Sequence, residues 1–235
     1  RGLGDVYKRQ VLTLFYDLLF SIKTIRILIL LSETIDFPAH ELANDEGVLA
    51  IGGDLSEKRL IYAYSNGIFP WYSEYEPIIW YSPRLRMVLF PKELKISKSM
   101  QQVIKKNNFL ITENTAFQEV IYNCKTINRN DGFGTWITND MEQAYINLNN
   151  IGKAKSIEVW HNNELVGGLY GVVIGNIFCG ESMFSKISNT SKLAFIYLVE
   201  KGDYSLIDCQ VYNNHLASLG AREISRNNFL KIITT

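Results

Sequence analysis

Two carboxylates and a carboxamide stand out in sequence otherwise suited to burial. Along Ser205–Val211, strand alternation sends Leu206, Asp208 and Gln210 to one face and Ile207, Cys209 and Val211 to the other. A strand with only structural duties would carry Val or Ile where Asp208 and Gln210 stand. A third polar residue, Glu181, lies in the apolar run Ile177–Met183, flanked by Phe178, Met183 and Phe184. Two acids and an amide converging beside aromatic walls would suit an amine nucleophile attacking an apolar acyl partner. The competing reading is a solvated face that these polar residues decorate, and the residues alone leave both open.

Other chemistry is less well supplied. Cys209 as a nucleophile lacks a paired base and faces away from Asp208, so it reads as a structural thiol. His215 reads as a packing or helix-surface residue before a general base. Cys124, Cys179 and Cys209 are odd in number and widely spaced, which indicates free thiols and not a disulfide framework. With only His40, His161 and His215 available, no zinc-ligand spacing is present. Gly132-Phe133-Gly134, Gly167-Gly168 and Gly171 lack the strand-to-helix syntax of a phosphate loop and read as turns or close sheet approaches.

The elements that would carry these residues can be read from pattern. Ser56 caps a helix over Glu57–Asn66 that ends at Gly67. Ile78–Tyr81 and Met87–Phe90 read as strands. Asn114 can cap a helix burying Phe117, Val120, Ile121 and Cys124; Thr138 can cap another burying Met141, Tyr145 and Leu148 before Gly152. Strands Ser156–Trp160, Leu165–Ile174 and Ile177–Met183 follow, joined by the hairpin signals Asn162-Asn163 and Gly175-Asn176. A helix over Lys192–Glu200 then leads to Ser205–Val211, a crossover that implies a parallel pair and sets two carboxyl strand ends side by side, where open sheets bind ligands. A short helix at His215–Leu219 closes the reading. The class is α+β.

Bulk properties exclude little. The 235 residues are 47% hydrophobic and 20% charged, with zero net charge, as for an ordinary globular chain. Charge is segregated, however. Arg84, Arg86, Lys92, Lys95, Lys98, Lys105 and Lys106 face one acid, Glu93, in that segment, whereas Glu33, Asp36, Glu41, Asp45, Glu46, Asp54 and Glu57 precede them. Such a segment can engage phosphates by counterion release; the alternative is a solvated, mixed-charge face. Residues 11–31 are rich in apolar side chains, yet Asp17, Lys23 and Arg26 leave no clean run of ~18 for a membrane span. Arg1–Gln10 looks like translated adaptor sequence, and residues 1–26 read as a non-native or disordered extension.

At the site residues the sequence resembles the bacterial leucyl/phenylalanyl-tRNA–protein transferase family. The likeness runs from about Leu30 to near the C-terminus. It is carried by Gly47-Val48-Leu49-Ala50-Ile51-Gly52-Gly53-Asp54-Leu55, Gly67-Ile68-Phe69-Pro70-Trp71 and Gly134-Thr135-Trp136-Ile137-Thr138. It continues through Phe178-Cys179-Gly180-Glu181-Ser182-Met183-Phe184-Ser185 and Leu206-Ile207-Asp208-Cys209-Gln210-Val211, with Asn213, His215 and Ser218-Leu219-Gly220. The resemblance implies a small N-terminal α/β domain over residues 27–109 and an acetyltransferase-like (GNAT) mixed sheet with helices over 110–235. It implies a cytoplasmic aminoacyltransferase, monomeric and without membrane attachment, metal or other cofactor. Such an enzyme moves Leu, Phe and less readily Met from aminoacyl-tRNA to proteins beginning with Arg or Lys, marking them for degradation by the N-end rule.

Carried over by position, Asp208 and Gln210 match the pair that activates the acceptor amine, and Glu181 an acid near the acceptor's basic side chain. Leu169, Phe178, Met183, Phe195 and Ile207 match the donor side-chain pocket; Trp71 and Trp136 match aromatics around the tRNA's terminal adenosine. The basic residues Arg84 to Lys106 would hold tRNA phosphates. The link Lys201-Gly202-Asp203 is a few residues shorter than the family pattern. The expected chemistry is aminolysis of an already activated ester, with Asp208 polarising Gln210 and the Gln210 carbonyl orienting the amine. A coenzyme-A-dependent acyltransferase would want glycines after Ile177–Met183, which Ser185-Lys186-Ile187-Ser188 lacks. A module that merely captures aminoacyl-tRNA or basic N-termini would tolerate loss of Asp208. A membrane-tethered form would need residues 11–31.

Overall fold

The computed structural model describes residues 29–127, 136–202 and 204–234. The expected extension at residues 1–26, the glycines of Gly132-Phe133-Gly134, the first two residues of Gly134-Thr135-Trp136 and Asp203 of the short link all lie outside the described residues.

Two mixed sheets organise the chain. The smaller holds β1 (Leu30–Leu31), β2 (Val48–Gly52), β3 (Phe69–Pro70) and β4 (Ile79–Tyr81) in the order β1-β2-β4-β3. Helix α1 (Glu57–Ser65) bridges β2 and β3, and the Ser56 hydroxyl accepts the Arg59 N–H as its cap. The second sheet takes β5 (Leu85–Leu89) from ahead of residue 110. It continues with β6 (Leu110–Glu113), β7 (Ala154–His161), β8 (Glu164–Ile174), β9 (Ile177–Ser185), β10 (Leu206–Gln210) and β11 (Arg222–Ser225), in the order β11-β5-β10-β9-β8-β7-β6. The helices are α2 (Lys98–Lys106), α3 (Phe117–Thr126), α4 (Asn139–Asn150), α5 (Thr190–Lys201), α6 (Asn214–Ala217) and α7 (Arg226–Ile233).

The β7-β8-β9 meander forms as its turn residues dictate. Asn162 and Asn163 both adopt positive φ (51° and 65°), the geometry of a tight hairpin turn, and Gly175 does likewise at 57°. From β9, α5 crosses over to β10, which pairs with β9 in parallel. An antiparallel meander followed by a helical crossover into a parallel strand is the expected acetyltransferase-like arrangement. Hydrophobic clusters cover both faces of the sheet. One joins Leu60, Val120, Ile121, Met141 and Tyr145 to Tyr170, Val172 and Leu206; the other joins Leu193, Phe195 and Leu198 to Leu169, Phe178 and Ile207. Alternation along β8 and β10 thus feeds two cores, which explains why these strands read as nearly continuous apolar runs.

One local expectation is corrected, and one is given its partner. Asn114 does not cap α3: it adopts φ 52°, and Ala116 stands at the N-cap without a side-chain bond. The carboxylate of Glu158 on β7 takes that role, accepting from the N–H groups of Thr115 and Ala116. Gly167 is a close approach, since a Cβ there would collide with Thr190 at the start of α5. That contact seats the helix carrying Phe195.

Candidate active site

The β9–β10 ladder runs Leu206↔Ile177, Ile207↔Phe178, Asp208↔Cys179 and then stops. Beyond it β9 stays paired with β8 as far as Ser185, while β10 ends at Gln210. A cavity of about 830 Å³ opens there, bounded by Gly180–Ser185 on one side and Ile207–Asn213 on the other. Glu181, Asp208 and Gln210 all border it. The side chains bridge the gap that the backbone leaves: the Gln210 amide Nε2 donates to Glu181 Oε1 at 2.9 Å.

Simple alternation does not bring Asp208 and Gln210 together. The pairing of β10 with β5 slips between them, with Asp208 opposite Val88 and Gln210 opposite Met87, so Cys209 is an inserted residue. Gln210 then adopts φ 62°, a left-handed conformation that costs roughly 1–2 kcal/mol for a residue with a side chain. Two bonds offset that strain: its N–H donates to Asp208 Oδ1 at 2.9 Å, and its amide reaches Glu181. A strained polar residue held at a cavity edge suits a functional position.

Asp208 itself is fully buried. Both its oxygens accept from Arg86, Nε to Oδ1 at 2.8 Å and Nη2 to Oδ2 at 2.7 Å. The guanidinium lies 4.4 Å from the Phe69 ring centre and 4.8 Å from that of Phe229, and Nη1 donates to the Gly67 carbonyl. The charge pattern of the sequence groups Arg86 with cations for tRNA phosphates. At 2% exposure, with its fork spent on Asp208, it cannot meet a phosphate; it anchors the site instead. The expected polarisation of the Gln210 side chain by Asp208 is also corrected. Asp208 holds the Gln210 backbone, and Glu181 holds the Gln210 amide.

Glu181 has a different setting. Its second oxygen accepts from the Tyr145 hydroxyl at 2.9 Å, and Tyr145 in turn bonds Tyr64 at 2.6 Å. Burial pushes its pKa up to about 7, opposed by the Tyr64 and Tyr145 hydroxyls and by Arg86, and reinforced by the charge of Asp208. Among the described residues no cation lies within ion-pair distance of it. Burial raises the Cys209 and Cys179 thiols as well, which leaves both protonated at neutral pH. His215 borders the cavity, but its Nε2 is sealed and unpartnered, and burial followed by the Lys192 charge lowers its pKa. Among the described residues no cluster of three His, Cys, Asp or Glu side chains could hold a metal ion.

The remaining expected residues fall into two groups. Leu169, Phe178, Phe195 and Ile207 are buried in the cavity wall, with the half-buried Met183 beside them. Trp71, 42% exposed, and Trp136 border the same cavity. Arg84 just ahead of β5, Lys92 and Lys95 between β5 and α2, and Lys98, Lys105 and Lys106 on α2 are exposed, and Arg84 bonds Asp45 at 2.8 Å. Sequence reasoning missed the roles of Arg86, Tyr64 and Tyr145. Tyr145 was legible as part of a buried stripe on α4, but helical spacing cannot show where a hydroxyl ends. An Arg opening an apolar strand was the available signal for Arg86.

Comparison with known proteins gives the family. Residues 53–84 match the model of the leucyl/phenylalanyl-tRNA protein transferase N-terminal domain, and residues 88–234 match that of leucyl/phenylalanyl-tRNA protein transferase. This chain belongs to the leucyl/phenylalanyl-tRNA–protein transferase family. A protein of that name from Flavobacterium psychrophilum is 55% identical over 206 residues, covering 86% of this chain and 98% of its own. Relatives of the same name from Flavobacterium johnsoniae (56% over 200 residues, 84% and 94% covered) and Syntrophobacter fumaroxidans (51% over 206 residues, 86% and 88% covered) are comparably similar. Solved structures are more distant. A GCN5-related N-acetyltransferase from Kribbella flavida has a TM-score of 0.34 and 8% identity, covering 70% of this chain and 59% of its own. A likeness so slight carries no weight for function. In this transferase-family chain Glu181, Asp208 and Gln210 border one cavity.

Proposed function

We propose that this chain transfers leucine or phenylalanine, and less readily methionine, from aminoacyl-tRNA to proteins beginning with Arg or Lys, in the cytoplasm, so tagging them for degradation. The observation that carries the reading is the Gln210 carboxamide, fixed by Glu181 at the edge of a cavity whose wall is apolar. Because the amide N–H₂ is committed to Glu181, its carbonyl oxygen is the end left to accept from an incoming amine.

In this reading Leu169, Phe178, Met183, Phe195 and Ile207 receive the donor side chain. An apolar wall separates aliphatic side chains by only about 1–3 kcal/mol per methylene, which accounts for tolerance of methionine. Trp71 and Trp136 stack on the terminal adenosine. Arg84, Lys92, Lys95, Lys98, Lys105 and Lys106 grip phosphates without reading bases. Asp208, fixed by Arg86, keeps Gln210 in its left-handed pose, and Glu181 meets the cationic acceptor terminus. The aminoacyl ester is already activated, so aminolysis is downhill and positioning supplies most of the rate. The N–H groups at the start of α5 favour this over a coenzyme A pyrophosphate site. The Ser191 N–H is taken by Ser185 Oγ at 2.9 Å and the Thr190 N–H by the Ile187 carbonyl.

The test is incubation with radiolabelled leucyl-tRNA and a peptide beginning with Arg, with the N-acetylated peptide as control. Label is expected in the free peptide alone. Absence of labelled peptide, or equal labelling of the acetylated one, overturns the reading.

A further inference from the structure

An acceptor N-terminus has a pKa of ~7.7–8.0 and is mostly an ammonium at neutral pH, so it must lose a proton before it attacks. The cavity holds few groups that could take one. An amide such as Gln210 is too weak a base. Asp208 is enclosed: Arg86 occupies both oxygens, the Gln210 N–H occupies one of them again, and none of its surface is exposed. The Cys209 thiol stays protonated, and His215 Nε2 is sealed off. Glu181 remains. It borders the cavity, the groups that donate to it are neutral, and among the described residues no cation pairs with it. An amine accepted by the Gln210 carbonyl lies next to the carboxylate that holds the other end of that amide.

We infer that Glu181 is the general base of the transfer, taking the proton from the acceptor's α-ammonium as well as binding it. The inference rests on the aminoacyl-transfer reading and gives Glu181 a chemical step within it. The ammonium passes one proton to Glu181, leaving a neutral amine and a carboxylic acid. The amine lone pair then bonds to the ester carbonyl carbon, and the carbonyl oxygen gains negative charge. Collapse re-forms the carbonyl and breaks the bond to the ribose oxygen. The second proton on nitrogen passes to that leaving oxygen, giving a peptide bond and a free ribose hydroxyl, and Glu181 releases its proton to water.

Its surroundings suit the task. Tyr64 from α1, Tyr145 from α4, Arg86 from β5, Asp208 from β10 and Cys179 on its own strand are the titratable groups that face it. With a pKa of about 7, Glu181 lies close to the amine it must deprotonate, where general-base catalysis is most effective. Below that pH the carboxyl is protonated and the step fails, so the rate rises with pH through this range.

The experiment compares Glu181→Gln with wild type from pH 5.5 to 9.5, using leucyl-tRNA and either an Arg-peptide or hydroxylamine, a nucleophile already unprotonated at neutral pH. Glu181→Gln is expected to lower kcat for the peptide by about 10²–10⁴-fold at pH 7. Its residual rate should climb tenfold per pH unit as free amine accumulates and level off above the amine's pKa of ~7.7–8.0, and hydroxylaminolysis should fall only a few-fold. Glu181→Asp should restore part of the peptide rate. Unchanged kcat with a raised KM for the peptide would overturn the inference, leaving Glu181 a binding residue only. Equal losses with both nucleophiles would overturn it in favour of a structural role. Wild-type protein that makes neither product would overturn the transfer reading itself, and this inference with it.

Discussion

Two carboxylates of the same sheet have opposite surroundings. On β7, fully buried Glu158 accepts from the hydroxyls of Thr112, Thr115 and Ser156 and from the N–H groups that open α3. Two strands away, Glu181 has Tyr145 and Gln210 as hydrogen-bond donors and borders a cavity. The first acid is saturated by donors and joins a helix to a sheet. The second is left short of compensation where a ligand can reach it. The more deeply buried acid is the one that joins a helix to a sheet, so depth of burial alone does not single out a candidate functional acid; unfilled hydrogen-bonding capacity beside open space does. Asp208 stands between these cases, saturated by a cation, yet tied to the cavity edge through the Gln210 N–H.

The strongest way to break this comparison is at the Arg86–Asp208 pair. Asp208→Ala leaves a buried guanidinium without its partner and is expected to lower stability by about 3–5 kcal/mol, as is Arg86→Ala, which leaves the buried carboxylate unpaired. The double variant Arg86→Met/Asp208→Leu should recover most of that stability in chemical denaturation, yet transfer should stay lost because nothing then pins the Gln210 N–H. Recovered transfer in the double variant would show that the pair is only a packing device. A smaller effect is expected at Glu158→Gln, about 1–3 kcal/mol from donors left imperfectly met at the start of α3. Its kcat should match wild type below the melting temperature; a large loss of kcat would erase the distinction between the two acids. The smallest effect is outside the sheet. Lys105→Ala is expected to weaken tRNA binding slightly and to reduce the slope of log affinity against log salt by about 0.7–0.9. A slope unchanged from wild type would remove Lys105 from the phosphate-binding set.

Much of the fold was legible because it depends on local pattern. Ser56 and Thr138 cap the helices they were expected to cap, accepting from Arg59 N–H and Met141 N–H. The meander follows Asn162-Asn163 and Gly175, and the crossover gives a parallel β9–β10 pair. Small elements escaped. β1, β3 and β11 have two, two and four residues, too few for a period to show, and α7 begins directly after β11 without a break in composition. The placement of β5 between β10 and β11, far from it in sequence, is a tertiary fact with no local signature.

By itself the sequence determined which residues carry polarity into an apolar setting, because a buried Asp, Gln or Glu conflicts with its neighbours' preference for the core. Period-2 alternation and turn chemistry then fixed the strands that hold them. Which polar group bonds to which was decided only in three dimensions. Alternation is blind to the inserted Cys209 that turns Gln210 left-handed, and charge counting cannot tell a cation in water from one held between Phe69 and Phe229. Hydrogen bonds act over about 3 Å and depend on direction, so the partners of Asp208 and Glu181 follow from how β5, β9, β10, α1 and α4 meet.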